Sequence, residues 1–177
     1  RSVKLDSKRF RLRKISKIVF DKDEDNIHKL TTIFSTINSL GSDLMYILDN
    51  QNSKLTFYIG VMDENSKGLN NSDKTLEQVF NSNFSGCEIS EKFFGNSKEI
   101  SNIENILTSD NAIVSMATTV PSFKDEDEQK ENFVQGLEKF LLAMQDKNYT
   151  TILLAKNISN VVETRKAGYE ELYTKLF

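Results

Sequence analysis

Hydrophobic positions along the chain switch between two periods, and the switches predict its elements. Phe10, Leu12, Ile15, Ile18 and Phe20 alternate imperfectly with basic residues, which predicts a peripheral strand with one wet face and a bulge. Ile27, Leu30, Phe34 and Ile37 then recur at helical spacing, with Asp23 or Asp25 as cap and Gly41 as stop. Residues 44–48 and 55–61 are β-branched and aromatic runs separated by a polar segment short enough for an antiparallel hairpin. A second helix carries Leu76, Val79 and Phe80 behind Ser72 or Asp73 as cap and ends before Gly86. Residues 87–90 fit a short strand, and Ile100, Ile103, Ile106 and Leu107 fit a third helix.

The stretch 112–157 reads as the organising unit. Residues 112–120 and 150–155 are rich in β-branched residues and bounded by turn formers, so both are expected as buried strands. Between them Phe133, Leu137, Phe140, Leu141 and Met144 form a helical stripe, a connection long enough for a right-handed crossover between parallel strands. Beyond it, Val161, Val162, Tyr169, Leu172, Tyr173 and Leu176 lie near one face of a last helix. The expected fold is α/β or α+β, a mixed sheet flanked by helices in the order β-α-β-β-α-(β)-α-β-α-β-α, forming one domain over residues 1–177. The start at Arg1 and the apolar end Leu176-Phe177 suggest a fragment of a longer chain.

Composition narrows the class without naming an activity. With 28% charged and 38% hydrophobic residues the chain has the balance of a globular domain, and no apolar run reaches the length of a membrane span. A lone Cys87 excludes an internal disulfide and makes the cytoplasm the expected compartment. Asn70, Asn83, Asn148 and Asn157 head glycosylation-type triplets that an Asn- and Ser-rich composition produces by coincidence.

Charge is unevenly placed within a net of -3. Lys8, Arg9, Arg11, Arg13, Lys14 and Lys17 crowd the first strand and are candidate phosphate contacts for DNA. The competing and favoured reading is an exposed edge strand kept from aggregating by its basic side chains. Asp125, Glu126, Asp127 and Glu128 form a candidate partner contact on an acidic loop, with a second explanation in the dipole of the following helix. They lack the spacing and central Gly of a calcium loop.

The usual chemical signatures are missing from the sequence. No Gly is followed by Lys, so there is no P-loop, and no dinucleotide fingerprint occurs. His28 is the single histidine and is expected on a helix surface; with Cys87 it is too little for an ordinary zinc site. Tyr46, Phe57 and Tyr58 are expected as core and cross-strand partners before base-stacking groups. The residues therefore point to no catalytic group, cofactor site or metal site in this chain, and a stand-alone small enzyme has only generic polar residues behind it.

Several pieces keep a recurring order across residues 44–173: Phe57-Tyr-Ile-Gly-Val61, the run from Leu76 to Phe80 leading into Asn83-Phe-Ser-Gly-Cys-Glu88, Val120-Pro-Ser122, the helix from Phe133 to Met144, and Thr151-Ile-Leu-Leu-Ala155. In this succession the chain resembles the N-terminal, non-motor region of bacterial HerA/FtsK-type ATP-binding translocases, although Phe84-Ser-Gly86 stands where that pattern has Phe-Pro-Gly. The resemblance implies a non-catalytic assembly or partner-docking domain of a DNA-translocating, secretion, conjugation or phage-defence machine. Its implied partners are the protein's own C-terminal ATPase domain and neighbouring subunits of a homo-oligomer, with DNA as a further candidate.

Overall fold

The computed structural model describes residues 8–19, 26–63, 66–90, 93, 97–107, 113–116, 140–156 and 159–176. They form an α+β fold whose five-stranded sheet runs in the order β4-β1-β3-β2-β5. The strands are β1 (Phe10–Lys17), β2 (Asp43–Gln51), β3 (Lys54–Met62), β4 (Glu88–Ile89) and β5 (Tyr149–Ala155). The helices are α1 (Asn26–Ser39), α2 (Leu69–Asn83), α3 (Lys98–Leu107) and α4 (Ser159–Leu176), and residues 140–143 are also helical. All pairings within the sheet are antiparallel, which replaces the expected mixed sheet.

The sheet is apolar on both faces because strand period two sends alternate residues into separate cores. On one side Leu44, Ile59 and Val61 pack with Ile33 and Ile37 of α1 and Leu69, Leu76 and Phe80 of α2. On the other side Phe10, Leu12, Met45, Ile47 and Tyr58 pack with Ile100 and Ile103 of α3. In α1 the inward residues are Ile33 and Ile37 with Phe34 half-buried, whereas Leu30 of the expected stripe is exposed. Gly41 has φ +76° and closes α1 in a Schellman motif, with Gly41 N–H donating to the Asn38 carbonyl at 2.9 Å and Ser42 N–H to that of Ile37 at 3.4 Å.

The hairpin is longer than its apolar runs. Strands β2 and β3 pair without interruption from Asp43↔Met62 to Gln51↔Lys54. Asn52 and Ser53, at φ 52° and 60°, make a two-residue turn of the hand that suits twisted strands. Central β3 approaches β1 so closely at Gly60 that a Cβ there would collide with the Arg11 carbonyl oxygen, so the position requires glycine.

Two expected features differ. Ser72 and Asp73 do not cap α2: Gly68 stands at the N-cap, and both residues lie buried one turn further in, where tertiary partners take their side chains. Residues 113–116, the described part of the expected strand 112–120, have no regular structure, and Ile113, Val114 and Met116 are exposed. The acidic loop, most of the helix expected over 133–144, and the caps Asp23 and Asp25 lie outside the described residues. Of the expected parallel unit the described residues show the helical piece 140–143 and β5, and β5 joins β2 antiparallel.

Candidate functional site

The basic N-terminal strand is divided by its own alternation. Arg11 and Arg13 face α2, while Lys14 points to the opposite side of the sheet. Arg13 is 4% exposed and makes side-on contacts with Asp73, itself 1% exposed, from Nε to Oδ1 and from Nη2 to Oδ2, both 2.9 Å. Nη2 also reaches Glu77 Oε2 at 3.0 Å, and Nη1 donates to the Ser90 carbonyl at 3.1 Å. Asp73 and Glu77 are four residues apart and so share one face of α2. This guanidinium fastens β1, α2 and the chain after β4 together. It is unavailable to a phosphate, which corrects its place among the candidate nucleic-acid contacts.

Its neighbours behave differently. Lys8, Arg9 and Lys17 are exposed, and Arg11 and Lys14 are half-buried. Arg11 Nε donates to Asn70 Oδ1 at 3.3 Å, and Lys17 Nζ lies 3.6 Å from Glu88 Oε1. Within the regular part of the strand, Arg11 and Arg13 lie on one face and Lys14 on the other, so these three do not line up along a single face. Strand β1 is also not an edge: β4 covers its C-terminal half, with a register shift between Ile15 and Lys17, and a bridge from Leu12 to Phe93 covers its middle. The bulge expected from the broken alternation is there, but at a covered position.

The remaining candidate side chains fall where a structural role would put them. His28 is exposed on α1. Cys87 is half-buried, with Sγ accepting from Val19 N–H at 3.2 Å. Tyr58 is buried and meets Phe93 edge-on at 6.3 Å; burial first, then Asp49 and Glu99, pushes its phenol above the ordinary value. Tyr46 packs against the α1/α2 core and is pushed up to about 12 by burial. A void of about 10 Å³ under α3, lined by Phe10, Leu12, Met45, Ile47, Ile100 and Ile103, is apolar and has room for no more than about one water. Among the described residues, no group of three or more His, Cys, Asp or Glu is placed to hold a metal ion, and no helix is long and apolar enough to cross a membrane.

What sequence reasoning missed is the opposite edge. Buried Asn50, near the hairpin tip, donates through Nδ2 to the carbonyls of Gln145 at 3.0 Å and Lys147 at 2.8 Å. Thr150 Oγ1 donates to Asp49 Oδ1 at 2.8 Å, and Asn52 N–H to Asn148 Oδ1 at 2.8 Å. These bonds lock β5 beside β2 in an unbroken register from Leu44↔Ala155 to Asn50↔Tyr149. Expected to be a buried strand, β5 instead ends the sheet, with Leu153 and Leu154 on opposite faces and both exposed. Phe140, also exposed, meets Tyr149 edge-on at 5.5 Å. Beyond β5, α4 sets Tyr169, Leu172 and Tyr173 outward together.

Comparison with protein-family models, with curated proteins and with solved structures finds no match to this chain.

Proposed function

We propose that this chain is a non-catalytic assembly or partner-docking domain. The observation that carries the reading is the face of α4: Tyr169, Leu172 and Tyr173 follow the i, i+3, i+4 spacing of a helix stripe and are 69%, 53% and 67% exposed. Large side chains this exposed on one helix face, Tyr169 and Leu172 above all, are typical anchors in a partner's groove. Around them, Lys166 and Glu170, and Glu171 and Lys175, form i,i+4 pairs at 4.0 and 2.6 Å, so the stripe has a charged border. Apolar anchors with a charged rim are the composition of a protein interface.

In its finer form the proposal makes the chain the non-motor region of a HerA/FtsK-type ATPase in the cytoplasm, where it would position the motor and its neighbouring subunits. The motif order over residues 44–173 supports that form, and reading the coding sequence around this chain for a Gly-Lys-Ser/Thr loop tests it. The docking function is tested with Tyr169→Glu and Leu172→Glu in the longest natural form of the protein, reading assembly mass by light scattering. A loss of assembly with unchanged circular dichroism is expected. Unchanged mass in both variants would sink the reading.

A further inference from the structure

We propose that β5 pairs antiparallel with β5 of a second copy of this chain, about a twofold axis through Ile152, so that two five-stranded sheets become one. This deepens the assembly reading by naming a partner, but it rests on β5 alone, and its failure leaves the α4 test standing.

The occupant has to be an extended strand, because β5 ends the strand order and offers one side of a seven-residue backbone as a hydrogen-bonding template. Folded proteins guard such edges with charge, proline, bulges or brevity. Residues 149–155, Tyr-Thr-Thr-Ile-Leu-Leu-Ala, contain no charge and no proline. Their register against β2 is unbroken.

The same features select a copy of β5 as the occupant. A neutral strand brought against itself meets no like charge, and antiparallel pairing of identical strands is the isologous contact from which closed dimers are built. An axis through Ile152, the middle residue, opposes all seven positions: Tyr149 to Ala155, Thr150 to Leu154, Thr151 to Leu153, and Ile152 to itself. Period two then sets Leu154 beside the partner's Thr150 on the α3 face, and Leu153 beside the partner's Thr151 on the α1/α2 face. Each half-exposed leucine, 45% for Leu153 and 43% for Leu154, gains a methyl-bearing neighbour. A shift of two residues in this register leaves one end of the strand unopposed in each copy.

Three measurements on the full chain test the pairing. Sedimentation over a concentration series should approach twice the chain mass. Leu154→Lys, at an exposed position, should weaken self-association roughly tenfold or more by placing two cations at the seam while leaving circular dichroism unchanged. In a Cys87→Ser background, Ile152→Cys should oxidise to a covalent dimer. Chains carrying Thr151→Cys should cross-link to chains carrying Leu153→Cys rather than to themselves, since disulfide geometry tolerates only close Cα pairs. A monomer at every concentration, including one whose β5 amides are protected by the chain's own residues 113–116, would overturn the proposal. So would a dimer that survives Leu154→Lys without cross-linking at residue 152, which would assign the contact to another surface.

Discussion

The two edges of the sheet face the same hazard, an unpaired backbone, and meet it in opposite ways. At one margin, β4 is two residues long, its pairing to β1 slips between Ile15 and Lys17, and Lys17 and Glu88 put charge on the seam. At the other, β5 is seven residues long, regular and uncharged, with leucines showing on both faces. Both margins are held to the sheet interior by buried polar groups: Arg13 on the first side, Asn50 on the second. The difference is in what remains outside. The first edge is finished, and the second is ready for another strand.

The sharpest way to break the guarded side is Arg13→Ala. It strands Asp73, 1% exposed, without its cation, and an uncompensated buried charge costs about 3–5 kcal/mol, to be read as a fall in the urea midpoint. Replacing Arg13 and Asp73 together by Met and Leu should recover most of that loss, because the pair's desolvation cost disappears with it.

Next in size is an effect of pH on the β2–β5 side, where Tyr46 opposes Leu153. Its phenol is held up to about 12 in the folded chain, against about 10 when unfolded. Between these values the unfolded state releases the proton and the folded state keeps it, so stability is fully present below pH 10 and falls as pH rises towards 12. The loss should reach about 2–3 kcal/mol at pH 12 and be reduced in Tyr46→Phe, as measured by thermal melts over that window. Tyr58, shifted in the same direction, contributes the residual slope.

A smaller and local effect is expected for Asn50→Ala. Loss of the donor to the Gln145 and Lys147 carbonyls should cost about 1–2 kcal/mol, since those carbonyls can turn to water. Amide exchange should speed up in β5 before β1, which would separate the two margins directly. Smallest of all, Lys17→Ala should change stability by less than about 0.5 kcal/mol, because its pair with Glu88 is exposed on both sides. A loss comparable to that of Arg13→Ala would show that the guarded edge depends on surface charge after all.

Much of the fold was legible from period alone. Strand β1 with its bulge, the hairpin, the 3.6-residue stripes of α2 and α3, and the short β4 all follow from where apolar side chains recur. The hairpin's extra length was not legible, because Asp49 and Asn50 look like turn residues until the 144–150 segment arrives to hydrogen-bond them. Ser72 and Asp73 misled for the same reason: short polar side chains before an apolar run resemble a cap, but Ser42 and Arg13 come from distant parts of the chain to claim them. In the basic strand, Arg13 and Lys17 are chemically similar in sequence, yet one is the innermost cation of the described structure and the other is at the rim.

By itself the sequence determined most of the strands and helices of the described residues, though not the irregular course of 113–116, and which phosphate-binding motifs are missing, because those depend on local spacing and residue type. It also determined that β5 carries no charge. Only the tertiary structure decided that β5 lies at the end of the sheet rather than inside it. A continuous apolar run satisfies either position, and the choice is made by distant residues: β2, which pairs with one side of β5 through Asn50 and Asp49, and the strand order, which sets no strand of the described residues on the other side.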